Sequence, residues 1–370
     1  MISQILYSLS VFIIVTHIIQ LIVYFFILKR TQQPQQKESH ELPSVSICMA
    51  ARDEELIIEQ ALQSLLNLDY PVEKLTIWIA DDQSSDGTAT VVKRYTHQHS
   101  HFHYYLVSNK FKGIRGKQNA LANVIKQSDS ELIAIVDADT SVSQNWLKEL
   151  VSNMYSDTVM VSGVTAAKSN GDISSLTQQF DWMYGSAILK AHADMGNPIS
   201  GLGNNMIFCR NNYDELGGYE SLGHCLNEDF KITHALCSNK PSSFRQIMSP
   251  DSTNLVASVS PFIKTISQKY RWLKGAKDAA WYHHIALALP YWALFSCLLL
   301  LIIEPITSLT LLIIKMLADI LLRFTLTQKM NLKSRSYFLP IWYILSLLTF
   351  ILVPMCFFVS KKITWKGRKV

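Results

Sequence analysis

Leu132-Ile-Ala-Ile-Val136 is an unbroken apolar run that stops at two carboxylates, Asp137 and Asp139. Consecutive apolar residues with β-branched members predict a strand buried on both faces, as in a parallel sheet covered by helices. Side chains alternate along a strand, so Asp137 and Asp139 share a face or meet where the strand becomes a loop. Ligands of open α/β sheets bind just outside the carboxyl ends of the strands. Two clustered carboxylates there repel one another unless a cation neutralises them, and oxygen-only ligation suits Mg²⁺ or Mn²⁺. An isolated Asp-x-Asp is usually only an acidic turn. The ordered motifs around this one weigh against that.

The apolar content sits at the two ends of the chain. Mean hydropathy is +0.14 and 49% of the residues are hydrophobic, high for a soluble protein. Ile5 to Leu28 carries no acidic or basic charge and is long enough to cross hydrocarbon as a helix at ~1.5 Å per residue. It lacks a basic leader and a small-residue cleavage site, and Lys29-Arg30 follows it. Residues 1–30 therefore read as a retained signal anchor with its C-terminal side in the cytoplasm. Residues 285–360 hold further apolar segments at Ile285–Ile303, Ile306–Leu322 and Tyr337–Val359, giving two or three spans. The middle one is interrupted by Glu304-Pro305 at its start and by Lys315 and Asp319 inside it. Spaced four apart on a helix, those two charges can pair and face protein.

The formal charge of +5 is local, because residues 361–370 alone hold Lys361, Lys362, Lys366, Arg368 and Lys369. A basic cluster beside a membrane segment predicts contact with anionic membrane lipids, not nucleic acid. The positive-inside rule does not settle the span count. The loop with Arg323, Lys329, Lys333 and Arg335 and the basic tail fall on opposite sides if one span separates them. Six cysteines without Cys-x-x-Cys spacing fit a reduced cytoplasmic compartment.

Between the ends, Thr31–His40 reads as a polar linker, and residues 31–284 as one cytoplasmic domain with an interfacial helix at 258–284. Val45–Ala50, Leu75–Ala80, Phe102–Val107, Leu132–Val136 and Val159–Val164 are predicted strands. Glu54–Leu66 has helical apolar spacing. The alternation implies a mostly parallel, doubly wound sheet. The four histidines at 97, 99, 101 and 103 read as a solvated connector more readily than as a metal tract.

The second strand ends in Asp81-Asp82 followed by Ser84-Ser85-Asp86-Gly87, a turn whose carboxylates can accept from a nucleobase imide or a ribose hydroxyl. Gly116-Lys117 places a cation at a helix N-terminus, suited to a diphosphate or to sugar hydroxyls. Gly201 and Gly203 offer a small-residue wall where a sugar ring can approach the backbone. Glu228 and Asp229 head an amphipathic helix. Either is stabilised there by the helix dipole, and Asp229 is the preferred general base. Gln268, Arg271 and Trp272 share one helical face; Arg can neutralise a leaving diphosphate and Trp can stack on a sugar.

In this order, from about Val45 to Trp272, the motifs resemble the family 2 glycosyltransferases of GT-A fold. The likeness is to the membrane-bound branch with ceramide glucosyltransferase, hyaluronan synthase and cellulose synthase. The resemblance implies an α/β, Rossmann-like, mostly parallel catalytic domain flanked by transmembrane helices. It assigns Asp82 to the uridine, Asp53 to the position after the first strand, and Asp137 and Asp139 to metal and diphosphate, with Asp139 as metal ligand. Asp229 becomes the base of a Thr/Glu-Glu-Asp motif in which Asn227 replaces Thr, and Gln268, Arg271 and Trp272 complete Gln-x-x-Arg-Trp. The ending Ile363-Thr-Trp365-Lys-Gly367-Arg368 looks like the Trp-Arg-Gly-Arg tail of lipid-directed members.

The implied activity is inverting transfer of a sugar from a nucleotide sugar, preferably a UDP-sugar, to a membrane lipid, with Mg²⁺ or Mn²⁺. The enzyme is expected as a multi-pass protein of the cell (inner) membrane. The alternative is a processive polysaccharide synthase acting on a glycan acceptor. A non-catalytic nucleotide-binding scaffold is disfavoured by the intact Asp137, Asp139, Asp229 and Arg271.

Overall fold

The structure, a computed structural model, describes residues 2–30, 41–237, 240–259, 262–277, 279–333, 335–359, 364–365 and 368–369. A long helix opens the chain, α1 (Ile2–Lys29). An alternating segment follows: β1 (Val45–Ala51), α2 (Ile58–Leu66), β2 (Leu75–Asp81), α3 (Thr88–Gln98), β3 (Phe102–Leu106), α4 (Lys117–Ile125) and β4 (Leu132–Ile135). The chain continues through β5 (Thr140–Ser141), α5 (Trp146–Ser152), β6 (Met160–Ser162), β7 (Val164–Ala167), α6 (Ile173–Asp194) and β8 (Met206–Cys209). Short helices α7 (Arg210–Glu215) and α8 (Gly218–Leu222) lead to α9 (Glu228–Cys237), β9 (Phe244–Gln246) and β10 (Thr253–Val256). Last come α10 (Phe262–Gly275), α11 (Trp281–Ile303), α12 (Pro305–Lys329) and α13 (Leu339–Val359).

The main sheet has seven strands in the order β3-β2-β1-β4-β8-β6-β9, and only β8 runs against the rest. Its central strands β1 and β4 are buried along their whole length, as an apolar run covered on both faces requires. Helix α2 packs one face through Ile58, Ala61, Leu62 and Leu65, and α4 packs the other through Leu121, Val124 and Ile125. This is the doubly wound, mostly parallel sheet expected from the alternation.

One predicted strand divides. Residues 159–164 hold all of β6 and the first residue of β7, which belong to different sheets, because the chain turns at Gly163. A Cβ there would lie 2.4 Å from the Ser252 carbonyl oxygen and 2.5 Å from Asn205 Oδ1, so only glycine fits. Asn205 fixes the corner, accepting from Trp146 Nε1 and donating to the carbonyls of Val164 and Ser252. β7 then joins β10 and β5 in a three-stranded sheet beside the site.

Among the described residues, four helices, α1, α11, α12 and the segment Ser336–Cys356, are long and apolar enough to cross a membrane. The segment interrupted by Lys315 and Asp319 is one continuous 25-residue helix, because the two charges pair at 2.6 Å in a fully buried position. The expected interfacial helix at 258–284 is shorter: α10 ends at Gly275, and Trp281 and Tyr282 already belong to α11. The expected linker 31–40 lies outside the described residues. In the tail, Thr364–Trp365 pairs with Arg368–Lys369, and the remaining tail positions are likewise outside them. The four-histidine tract ends α3 and enters β3, where the His103 ring stacks on Trp78 at 4.5 Å.

Candidate active site

The carboxylates gather where β4 ends. Strand β4 stops at Ile135, and Asp137 and Asp139 leave its carboxyl end on either side of buried Ala138. Across from them α4 begins at Lys117, directly after Gly116, whose φ of 60° favours a residue without a Cβ. Lys117 Nζ lies 2.7 Å from Asp137 Oδ1 and 2.6 Å from Glu228 Oε1, and it donates to the Gly203 carbonyl at 3.3 Å. One ammonium therefore ties the β4 end to the head of α9.

Burial opposes the Lys117 charge, but Asp137 and Glu228 outweigh it and hold the ammonium above its ordinary range. Glu228 is also penalised by burial, yet Lys117 keeps its carboxyl below the usual value. Asp137 is pushed up, first by burial and then by the nearby Asp139, against the pull of Lys117. About a third of the Asp137 side-chain surface (32%) stays accessible, so a ligand can reach it.

Asp229 occupies the first turn of α9. Its Oδ2 accepts from the Gly203 N–H at 3.0 Å and its Oδ1 from the Phe230 N–H at 2.8 Å. Burial, then the like charge of Glu228, raises its carboxyl above the ordinary range, toward what a proton acceptor at neutral pH requires. Gly203 permits this closeness: a Cβ there would stand 3.1–3.2 Å from Glu228 Oε1, Asp229 Cβ and Lys117 Nζ.

Helix α10 closes the opposite side. Gln268, Arg271 and Trp272 line one cavity of about 1720 Å³ together with Lys117, Asp137, Asp139 and Asp229. Two contacts position this helix. Lys269 pairs with Asp181 of α6 at 2.6 Å, and the Trp272 ring meets Trp182 edge-on at 5.2 Å. Asn227, just before α9, donates through Nδ2 to the Trp272 carbonyl at 3.1 Å, joining the head of α9 to the end of α10.

Asp53 and Asp82 stand at the neighbouring ends of β1 and β2 and do not line that cavity, although Glu54 does. Arg52 spans them, 3.7 Å from Asp53 and 3.8 Å from Asp82. Asp53 takes a left-handed backbone (φ 51°) and accepts from the Ser85 N–H at 2.7 Å. Asp81 is consumed by the turn itself, accepting from Ser84 N–H and Tyr104 Oη, whereas Asp82 stands beside Arg52.

Among the described residues, no group of three or more His, Cys, Asp or Glu side chains is arranged to hold a metal ion. Two hard carboxylates nevertheless fit a divalent cation that completes its shell with phosphate oxygens and water. Sequence reasoning put Asn227 and Glu228 beside the proposed base but not their contacts with Trp272 and Lys117, and it did not place Asp181 or Arg52. Glu228 and Asn227 had a signal in adjoining the proposed base. Asp181 had none, since its partner is 88 positions away along the chain.

A mostly parallel α/β sheet with the carboxylates gathered at the carboxyl ends of its strands is the GT-A fold. Residues 11–370 match glycosyl transferase family 21, so the chain belongs to that family, which is the ceramide glucosyltransferase family. It is 28% identical over 193 residues to a β-monoglucosyldiacylglycerol synthase of Synechocystis (52% of this chain, 40% of that one). To a probable glycosyltransferase of Bacillus subtilis, YdaM, it is 29% identical over 209 residues (54% and 48%). A poly-β-1,6-N-acetyl-D-glucosamine synthase of Staphylococcus epidermidis is 30% identical over 138 residues (36% and 32%). The matched stretches span less than half the length of these relatives. Among solved structures, the mannosyltransferase PcManGT of Pyrobaculum calidifontis, in complex with GDP-mannose and Mn²⁺, shares the fold. Its TM-score is 0.63 at 18% identity, over 96% of this chain and all of that one.

Proposed function

We propose that this protein is a membrane-bound glycosyltransferase that moves one sugar from a nucleotide sugar, preferably a UDP-sugar, onto a membrane lipid with inversion at the anomeric carbon. The observation that carries the reading is the continuity of the cavity. It begins at Asp137, Asp139 and Asp229 and runs on to apolar side chains of the long helices, among them Leu287, Leu294 and Val353. A nucleotide sugar suits the charged end and an acyl chain suits the other.

Asp137 and Asp139 would hold Mg²⁺ or Mn²⁺, which when bound neutralises diphosphate charge. Lys117 and Arg271 supply fixed positive charge near the same position, where negative charge develops on the leaving group. Asp229 takes the proton of the acceptor hydroxyl as that oxygen attacks, and Trp272 presents an apolar ring face to the sugar. No covalent sugar–enzyme intermediate is needed. Arg52 places Asp82 and Asp53 together at the strand ends, where a nucleobase and ribose can be bound. The relatives named for a glucosyl lipid support the lipid acceptor, whereas the one named for a polymer supports the alternative of a polysaccharide synthase.

The catalytic domain is placed on the cytoplasmic side of the cell membrane, where Lys29-Arg30 follows the first apolar helix. Purified chain in lipid nanodiscs, given a panel of radiolabelled nucleotide sugars, should yield lipid-soluble product. EDTA should stop transfer and Mn²⁺ or Mg²⁺ should restore it. Polymeric product alone would replace the acceptor assignment, and full activity in EDTA would remove the metal.

A further inference from the structure

The membrane-facing end of the cavity carries polar groups with nothing to bind. His17 of α1 and Ser346 of α13 both line it, and each residue is only 1% exposed. Among the described residues, His17 Nε2 and Ser346 Oγ have no hydrogen-bond partner, a condition that buried polar atoms rarely tolerate. The hydrogen bonds around His17 fix which ring nitrogen is vacant. Gln20 Nε2 donates to the Ala286 carbonyl at 3.1 Å, so Gln20 Oε1 faces His17 and accepts from Nδ1–H at 3.0 Å. A neutral imidazole then presents Nε2 as a bare acceptor.

The surroundings are polar but self-neutralising. Asp319 of α12, also on the cavity, pairs with Lys315 at 2.6 Å and accepts from Tyr184 Oη and Tyr343 Oη. Ser346 stands one helical turn beyond Tyr343. The route from the catalytic end is short: Asp181, bound to Lys269 of α10, is one turn of α6 from Tyr184.

We propose that His17 and Ser346 are acceptor-recognition residues that bind the uncharged polar backbone of the lipid, below the hydroxyl that receives the sugar. Nε2 of His17 takes an O–H or N–H of that backbone, and the Ser346 hydroxyl donates to an ester or amide carbonyl. On the cavity wall Lys315 is paired with Asp319, and buried Arg323, one turn further on, does not line the cavity, so the polar group bound there is neutral. This inference rests on the lipid-transfer reading above.

The test uses the full chain in phosphatidylcholine nanodiscs, with dioleoylglycerol and N-oleoylsphingosine as acceptor probes. For the probe that the wild type glycosylates, Ser346→Ala and His17→Leu should each raise the acceptor KM by roughly 3- to 10-fold, the effect of one lost hydrogen bond. The nucleotide-sugar KM and the slow hydrolysis of donor without acceptor should stay unchanged, and Ser346→Thr should recover the acceptor KM. The Tm of lipid-free Ser346→Ala should be no lower than that of the wild type, since an unpaired buried hydroxyl contributes nothing favourable to folding. An unchanged acceptor KM in both variants overturns the assignment while leaving lipid transfer standing. Polymer formation with neither lipid glycosylated by the wild type defeats the lipid reading and the subsite with it.

Discussion

At the scale of single residues, the site is governed by how one lysine shares three carboxylates. Lys117 contacts Asp137 and Glu228 directly and lowers the proton affinity of Asp229 through its field. Asp229→Asn keeps the size and an acceptor oxygen but loses the basic carboxylate. Transfer should fall by roughly 10²- to 10⁴-fold with the nucleotide-sugar KM nearly unchanged. A parallel loss of donor binding would make Asp229 structural, an acid held by the α9 dipole and the Gly203 N–H.

The pH profile tests the same group from another side. Because burial and Glu228 raise the Asp229 carboxyl, kcat should fall as pH drops through a value above the ordinary carboxylate range. Lys117→Met removes the cation that opposes this rise, so the acid limb should move to still higher pH. An acid limb that stays in place, or moves to lower pH, would show that another group acts as the base.

At the scale of elements, the decisive feature is that α9 and α10 are one unit although they are far apart in the chain. Asn227 donates to the Trp272 carbonyl, and Gly275 leaves room for it, since a Cβ at that position would lie 2.3 Å from Asn227 Oδ1. The proposed base on α9 and the Arg271–Trp272 face of α10 are thereby tied together. Asn227→Ala removes one hydrogen bond, about 1 kcal/mol, and should lower Tm by only about 2–4 °C. The misplacement of two reacting groups should instead cost roughly 10- to 100-fold in kcat. A Tm loss with unaltered kcat would mean that the helices are aligned by other contacts.

At the scale of the molecule, the last apolar helix does not follow the path of the others. Its first turns pack on α6 through Trp342 and its middle meets Tyr291 of α11 through Phe350. Near its end, Val353 packs on Ile266 and Tyr270 of α10, the helix that carries Gln268, Arg271 and Trp272. We propose that this helix, which starts and finishes against the catalytic domain, lies along the membrane face and does not cross it. On that reading the positive-inside rule expects Lys29-Arg30, the Lys329–Arg335 loop and the basic tail on the same side. An epitope placed after Val370 and a cysteine at exposed Ser152 should both resist impermeant reagents in intact cells. Labelling of the tail alone would mean that the helix crosses.

The sequence by itself determined what depends on local periodicity and on residue type. The buried strand ahead of Asp137, the helical face of Gln268, Arg271 and Trp272, and the long apolar helices follow from residue type and from patterns of 2 and 3.6 residues. The i,i+4 spacing of Lys315 and Asp319 foretold their pairing for the same reason. Tertiary structure alone decided which charges meet: Lys117 with Glu228, Lys269 with Asp181, and Arg52 between Asp53 and Asp82. It also decided that Gly163 breaks a predicted strand, because the obstruction is a carbonyl from Ser252, almost ninety positions later. Chain patterns record which face of an element is buried. They do not record which distant element buries it, and it is that pairing which sets the partner of every charge in the site.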